Sequence, residues 1–91
     1  ICEEWILTQT QIEAIIQGAR LIDGSEWHYL FDHLPCTFEG SLLQDHHKFD
    51  FAVNGGAWFY ISSADTTLTF GMFEEKYDDY FMSTVMREED L

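Results

Sequence analysis

The sequence predicts a single acidic α+β domain over residues 1–91, in which a four-stranded antiparallel meander sheet carries two N-terminal helices and a short C-terminal helix. Large apolar residues occupy every second position over residues 48–73, which is typical of strands with one buried face. Turn residues at 54–56 and 63–66 divide this stretch into three strands. At 91 residues the chain is long enough for one core but not for two.

The turn at Asn54 decides which side chains face the core, because a register slip of one residue exchanges the two faces of a strand. A two-residue Asn-Gly turn would place Phe51 opposite Trp58. A three-residue loop over residues 54–56 would instead place Phe51 opposite Phe59. We favour the three-residue loop, since it agrees with the following hairpin, in which Phe59 lies opposite Phe70.

Two helices are predicted before the sheet. Residues 1–7 fit either a short strand or an extended segment, and a capping box then begins the first helix, formed by Thr10 with Glu13 or by Thr8 with Gln11. The apolar stripe of this helix consists of Ile12, Ile15, Ile16 and Ala19. Ser25 caps a second helix over residues 26–33, which ends before Pro35. Because short helices are not stable alone in water, we expect both to lie on the Phe-rich face of the sheet.

The remaining elements follow from alternation and from helical spacing. Residues 36–42 alternate and predict the first strand, and residues 44–48 form a polar turn into the meander. Residues 74–82 predict a third helix with Glu74 and Glu75 in its first turn, where the helix dipole favours negative charge. Its apolar stripe is Tyr77, Tyr80 and Phe81.

The charge of the chain is its strongest functional signal. There are 17 acidic and 4 basic residues, which give a formal net charge of −13. Such a charge opposes binding to nucleic acids and to anionic membranes, and self-repulsion of this size favours a basic protein partner. No apolar run approaches the roughly 20 residues that span a bilayer. We expect a cytoplasmic protein, and therefore free thiols at Cys2 and Cys36 rather than the alternative of a single disulfide.

Enzymatic and metal-binding functions receive less support. Carboxylates are so numerous that no pair is distinguished as an acid and a base, and residues 54–56 lack the lysine and helix of a phosphate-binding loop. We therefore predict neither an enzyme nor a cofactor. A metal site is the alternative suggested by His28, Asp32, His33, Asp45, His46, His47 and Asp50. Adjacent histidines in a strand point to opposite sides, which favours solvated turn residues instead.

Two surfaces are candidates for partner binding. The favoured register places Trp58 and Tyr60 on a sheet face that the helices do not cover, beside Asp50 and Glu39. The alternative is that Trp5 or the last helix covers this face and that Trp58 belongs to the core. The second candidate surface is the acidic C-terminal region, which extends to Glu88, Glu89 and Asp90. The predicted partner-binding residues are Asp50, Trp58, Tyr60, Glu74, Glu75, Tyr77, Asp78 and Asp79.

The chain resembles the small acidic immunity and inhibitor proteins that bacteria pair with basic toxins, often nucleases. The resemblance rests on the single compact domain, the charge of −13, the strands LPCTFEGSL and FAVNGGAWFYI, and the acidic helix EEKYDDYF. It implies a stoichiometric inhibitor that covers a cationic active-site cleft. An alternative is a nucleic-acid mimic that blocks a DNA-binding protein, which would carry its acids in two rows at the spacing of phosphates.

Overall fold

The computed structural model describes residues 2–87, which form one antiparallel sheet with two α-helices and two 3-10 helices. The elements are a 3-10 helix Cys2–Glu4, α1 Gln9–Gly18, β1 Arg20–Leu21, α2 Gly24–Leu30, β2 Thr37–Gln44, β3 His47–Asn54, β4 Trp58–Ser62, β5 Thr67–Gly71 and a 3-10 helix Glu75–Tyr80. The strands lie side by side in the order β1-β5-β4-β3-β2.

The predicted four-stranded sheet is wrong, because the described residues contain a fifth strand. β1 lies between the two α-helices and pairs with β5, with Arg20 opposite Gly71 and Leu21 opposite Phe70. The backbone N–H of Ile22 extends this contact by donating to the carbonyl of Thr69 at 3.0 Å. Two residues are too few to show an alternating pattern, so tertiary pairing rather than local sequence makes this strand.

The hairpin between β3 and β4 differs from the predicted register, whereas the hairpin between β4 and β5 confirms it. Phe51 lies opposite Ile61, two residues from the predicted partner Phe59. Because the shift is two residues, the faces of the side chains are unchanged. In the second hairpin Phe59 lies opposite Phe70, as predicted.

The loop between β3 and β4 comprises residues 55–57, and the left-handed position in it belongs to Ala57 with φ 72°. A three-residue hairpin loop ordinarily ends with a residue in this conformation. The two glycines of the loop are required for a different reason, because a side chain at either position would collide with neighbouring atoms. A Cβ at Gly56 would overlap the backbone carbonyl oxygen of Asp32, and one at Gly55 would lie 2.9 Å from Met82 Sδ.

The two α-helices lie on opposite faces of the sheet, so the expectation that both cover the Phe-rich face is wrong. Trp58 lies opposite Gly71 across β4 and β5, and the next pair along is Phe59 with Phe70. Because side chains alternate along a strand, Phe59 and Phe70 are on the Phe-rich face and Trp58 and Gly71 are on the other face. The ring of Trp27 in α2 contacts Trp58 edge-on at 5.5 Å, and the ring of Phe31 packs against Gly71. We call the face that carries Trp58 and Gly71 the second face.

α1 lies on the Phe-rich face, where it closes the core. Ile15 is fully buried, and Ile16 lines a cavity together with Phe70. The buried apolar residues, which define the core, are Leu7, Ile12, Ile15, Ile22, Phe31, Cys36, Phe51, Ala52, Val53, Ala57, Phe59, Met72 and Val85.

Capping chemistry begins both α-helices, although not always at the predicted residue. Thr8 and Gln11 form the capping box of α1, which was one of the two predicted candidates. Asp23 and Glu26 form the box of α2, in place of a cap by Ser25. An aspartate followed three residues later by a glutamate satisfies two backbone N–H groups at once, which explains why the helix begins earlier than expected.

The ends of the described chain are held by two contacts that the sequence did not predict. Cys2 and Cys36 form a disulfide, so the preference for free thiols is wrong. The predicted C-terminal helix over residues 74–82 is present as a shorter 3-10 helix, and the indole N–H of Trp5 donates to the carbonyl of Tyr80 in it at 2.8 Å. Tyr77 packs where a Cβ of Gly18 would stand.

Candidate functional site

The second face has a covered part and an open part. Trp58 belongs to the covered part, because its indole N–H donates to the carbonyl of Asp32 at 3.0 Å and its ring contacts His33 edge-on at 5.8 Å. α2 and the segment that follows it therefore cover Trp58, rather than Trp5 or the last helix. Trp58 is half-buried and holds this segment on the sheet, which leaves little of its ring for a partner.

The open part of the second face forms a shallow groove of about 430 Å³. Tyr60 retains 38% of its surface, and Glu39 and Asp50 are exposed on either side of the buried Ala52. Ala52 lies between Glu39 on β2 and Tyr60 on β4, and its small side chain leaves the space that forms the groove. We call this site the acidic groove; its residues on the second face are Glu39, Ser41, Asp50, Ala52, Tyr60 and Ser62.

The acidic groove carries negative charge without a compensating cation in its lining. Within residues 2–87 neither Glu39 nor Asp50 takes part in an ion pair, and Asp50 accepts a hydrogen bond at 3.0 Å from the hydroxyl of Ser41. Glu39 and Asp50 are diagonal neighbours across β2 and β3. Residues in such positions are about 7–8 Å apart.

The acids of the C-terminal 3-10 helix are partly used by the fold. Asp78 receives two hydrogen bonds from Arg87, at 2.9 and 3.2 Å, and is half-buried. Glu74 lies 3.9 Å from Lys76, while Glu75 and Asp79 are exposed.

Tyr77 is half-buried against α1, so part of its side chain stabilises the fold and only the remainder is accessible to a partner. No hydrogen bond, ion pair or ring contact among residues 2–87 connects the acidic groove to this 3-10 helix. The structure therefore divides the eight predicted partner-binding residues into three sets. Asp50 and Tyr60 lie in the acidic groove, Trp58 is covered, and the others lie at the C-terminal 3-10 helix: Glu74, Glu75, Tyr77, Asp78 and Asp79. Glu88, Glu89 and Asp90, which were expected to extend the second one, lie outside the described residues.

The histidines have structural or solvated positions. His33 stacks on Trp27 at 3.9 Å between centroids, and its Nε2 lies 2.8 Å from the carbonyl of Trp27. Asp45 and His46 occupy the tight turn between β2 and β3, with φ values of 52° and 69°. Residues 2–87 contain no group of three or more His, Cys, Asp or Glu side chains that could hold a metal ion.

The pattern of the sequence located Tyr60, Asp50 and Glu39, but it did not locate the residues that shape the groove. Ser41 was visible only as one position of an alternating strand, and Ala52 as a small residue between Phe51 and Val53. Their importance comes from cross-strand neighbours, which the sequence alone does not specify.

Within the described residues no helix has the length and apolar character needed to cross a membrane.

Comparison with protein-family models, with curated proteins and with solved structures found no significant match for this chain.

Proposed function

We propose that the protein is an acidic binding module that neutralises a basic protein partner, and that the acidic groove is its main contact surface. The observation that carries this proposal is the pair of exposed carboxylates, Glu39 and Asp50, beside the exposed ring of Tyr60 on the open part of the second face. The net charge of −13 adds a long-range field that attracts a basic partner and accelerates encounter.

The partner class that best fits this surface is a basic toxin such as a nuclease, so the protein would act as an immunity or inhibitor protein. A nuclease cleft is lined with cations that bind phosphate, and carboxylates of an inhibitor can occupy the same positions. Tyr60 supplies the aromatic contact that commonly dominates the energy of such an interface. Glu75 and Asp79 on the C-terminal 3-10 helix form a second exposed acidic surface that contributes to attraction.

The arrangement of the acids favours an inhibitor over a nucleic-acid mimic. A mimic requires carboxylates in two rows at phosphate-like spacing along an extended surface. On the second face Glu39 and Asp50 are instead grouped around one aromatic residue. The metal-binding alternative has no support from the geometry, because residues 2–87 provide no group of three or more suitable ligands.

The disulfide between Cys2 and Cys36 bears on where the protein acts. Structural disulfides persist in oxidising compartments and are rare in the cytoplasm. We therefore propose an oxidising compartment in place of the expected cytoplasmic location. Alkylation of thiols at the moment of cell lysis, followed by intact-mass measurement, tests this. Two alkylated cysteines in the native protein would overturn it.

The proposed function is tested by capturing partners with variants of equal charge. The groove variant is Glu39→Gln with Asp50→Asn, and the matched control is Glu3→Gln with Asp65→Asn. A third variant, Glu75→Gln with Asp79→Asn, removes the same charge from the C-terminal surface. Each immobilised protein is exposed to an extract of its source cells at low and at high salt, and captured proteins are identified and assayed for nuclease activity.

The proposal expects one basic protein to be captured at low salt, with its activity inhibited, and to be lost when the groove variant is used. The control variant retains it. Equal loss with all three variants would mean that only overall charge matters, which contradicts a specific groove. Capture of no basic protein by the unmodified chain would overturn the proposed function itself.

A further inference from the structure

β2 is the long free edge of the sheet. It contributes eight residues, and within residues 2–87 its only neighbour in the sheet is β3. Natural edge strands are usually protected by lysine, proline, a bulge or a covering element. The sequence of β2, TFEGSLLQ, contains neither lysine nor proline, and its pairing with β3 is continuous from Thr37 to Gln44 without a bulge.

The register shows which backbone groups of β2 point away from the sheet. Just before the strand, the N–H of Gly55 donates to the carbonyl of Cys36 at 2.9 Å, in the same register as the rest of the ladder. Hydrogen-bonded positions alternate in an antiparallel ladder, so the even-numbered residues of β2 bond to β3. The N–H and C=O groups of the odd-numbered residues face outward; these residues are Thr37, Glu39, Ser41 and Leu43. Within residues 2–87 these outward backbone groups have no backbone hydrogen-bond partner.

This edge has a different surface on each of its two sides. On the Phe-rich side an apolar cavity of about 630 Å³ lies between α1 and β2, lined by Ile12, Ile16, Leu42 and Phe51 among others. Gly40 leaves room for the ring of Phe51, which lines this cavity, because a Cβ at Gly40 would lie 2.6 Å from that ring. On the second face the acidic groove begins at the same strand.

We propose that β2 receives an extended segment of the basic partner as an added strand, in which apolar and basic residues alternate. This inference rests on the proposed function and specifies its partner. Side chains of an added strand alternate between the two faces of a sheet. Apolar residues would enter the cavity beside Leu42, and basic residues would lie over Glu39 and near Asp50. The outward backbone groups of β2 would supply the hydrogen bonds, as in other cases of strand addition.

A second copy of this chain is a poor occupant of the same edge. Two copies would bring together two molecules that each carry a formal charge of −13, and their edges would place Glu39 of each copy on the same interface. Repulsion of like charges opposes such pairing. A basic segment removes this repulsion, which is why a partner of opposite charge is favoured.

The test uses a synthetic peptide as long as β2 in which valine and lysine alternate, with blocked termini. One control peptide has the same composition with its lysines grouped at one end. Two further peptides carry N-methyl groups on alternate residues, one on the valines and one on the lysines, so that each blocks a different edge of the peptide strand. Binding is measured by titration, and hydrogen exchange of the Glu39 and Ser41 amides is followed by NMR.

We expect the alternating peptide to bind and to slow the exchange of both amides. The grouped peptide and one of the two N-methylated peptides should bind about tenfold to a hundredfold more weakly. Ser41→Pro removes an outward N–H without removing a ladder bond, and should bind about tenfold more weakly than Ser41→Ala, which loses the same hydroxyl contact with Asp50 but keeps the N–H. Circular dichroism of the Ser41→Pro protein checks folding, and the N-methyl comparison remains decisive if this variant does not fold.

Equal binding of both N-methylated peptides would overturn strand addition. Slow exchange of the Glu39 and Ser41 amides in the free protein would also overturn it, because the edge would then already be covered by the chain itself or by a second copy. Failure of every peptide alongside groove-dependent capture of a basic protein would refute only the edge inference. Failure of both experiments would refute the proposed function as well.

Discussion

The side-chain amide of Asn54 forms two hydrogen bonds with the backbone of Leu34, although the residues are 20 positions apart. Its Nδ2 donates to the carbonyl of Leu34 at 2.7 Å, and its Oδ1 accepts from the N–H of Leu34 at 3.2 Å. The same Oδ1 accepts from the N–H of Gly56 at 2.9 Å. Asn54 is only 5% exposed, so one buried side chain joins the segment after α2 to the central hairpin.

Replacement of Asn54 by alanine should lower the free energy of unfolding by about 2–4 kcal/mol, because three backbone groups lose their partner near the protein interior. Asn54→Asp is the informative comparison, since it retains the accepting oxygen but places a second acceptor against the carbonyl of Leu34. Urea denaturation of both variants measures the effect. A loss below about 0.5 kcal/mol for Asn54→Ala would show that water replaces these bonds at no cost.

The disulfide between Cys2 and Cys36 should contribute about 4 kcal/mol, because it closes a loop across a sequence separation of 34. Thermal denaturation with and without a reductant measures this contribution. The double variant Cys2→Ser with Cys36→Ala is the control, and its melting temperature should not respond to reductant. An unmodified protein that melts at the same temperature in both conditions would contradict the prediction.

Gly56→Ala should destabilise the protein by about 3 kcal/mol or more, because the added Cβ would overlap the backbone carbonyl oxygen of Asp32 and the backbone there cannot move aside cheaply. Gly24→Ala is the matched control, since no atom lies within 4 Å of its added Cβ. At the start of α2 this control should be neutral or stabilising by about 0.5 kcal/mol. Equal effects of the two substitutions would show that the loop adapts.

Asp78→Asn should destabilise the fold by about 1–3 kcal/mol, since a two-bond contact between Arg87 and a half-buried carboxylate is among the stronger polar interactions. Glu74→Gln removes the same charge from an exposed pair at 3.9 Å and should change stability by less than about 0.5 kcal/mol. Chemical denaturation compares the two variants. Equal free energies of unfolding of the two variants would mean that the fold does not depend on Asp78, and this carboxylate would then be available for partner binding.

Sequence patterns located most of the meander because alternation over residues 48–73 is a local signal. The same is true of the helices, whose capping residues lie within three positions of one another. β1, the disulfide and the bonds of Asn54 depend on residues that are distant in the chain, so local patterns could not predict them. The positions of Trp58 and α2 were misjudged for a related reason, since alternation separates the two faces of a sheet without showing which helix covers each one.

The sheet has one long edge at β2 and, at β1, an opposite edge of only two residues. A filament requires two growth surfaces that match, and the described part of the chain offers only one long edge. Lateral association through β2 would therefore stop after a single addition. Whatever strand occupies that edge, the expected product is a discrete complex of defined stoichiometry rather than a fibre.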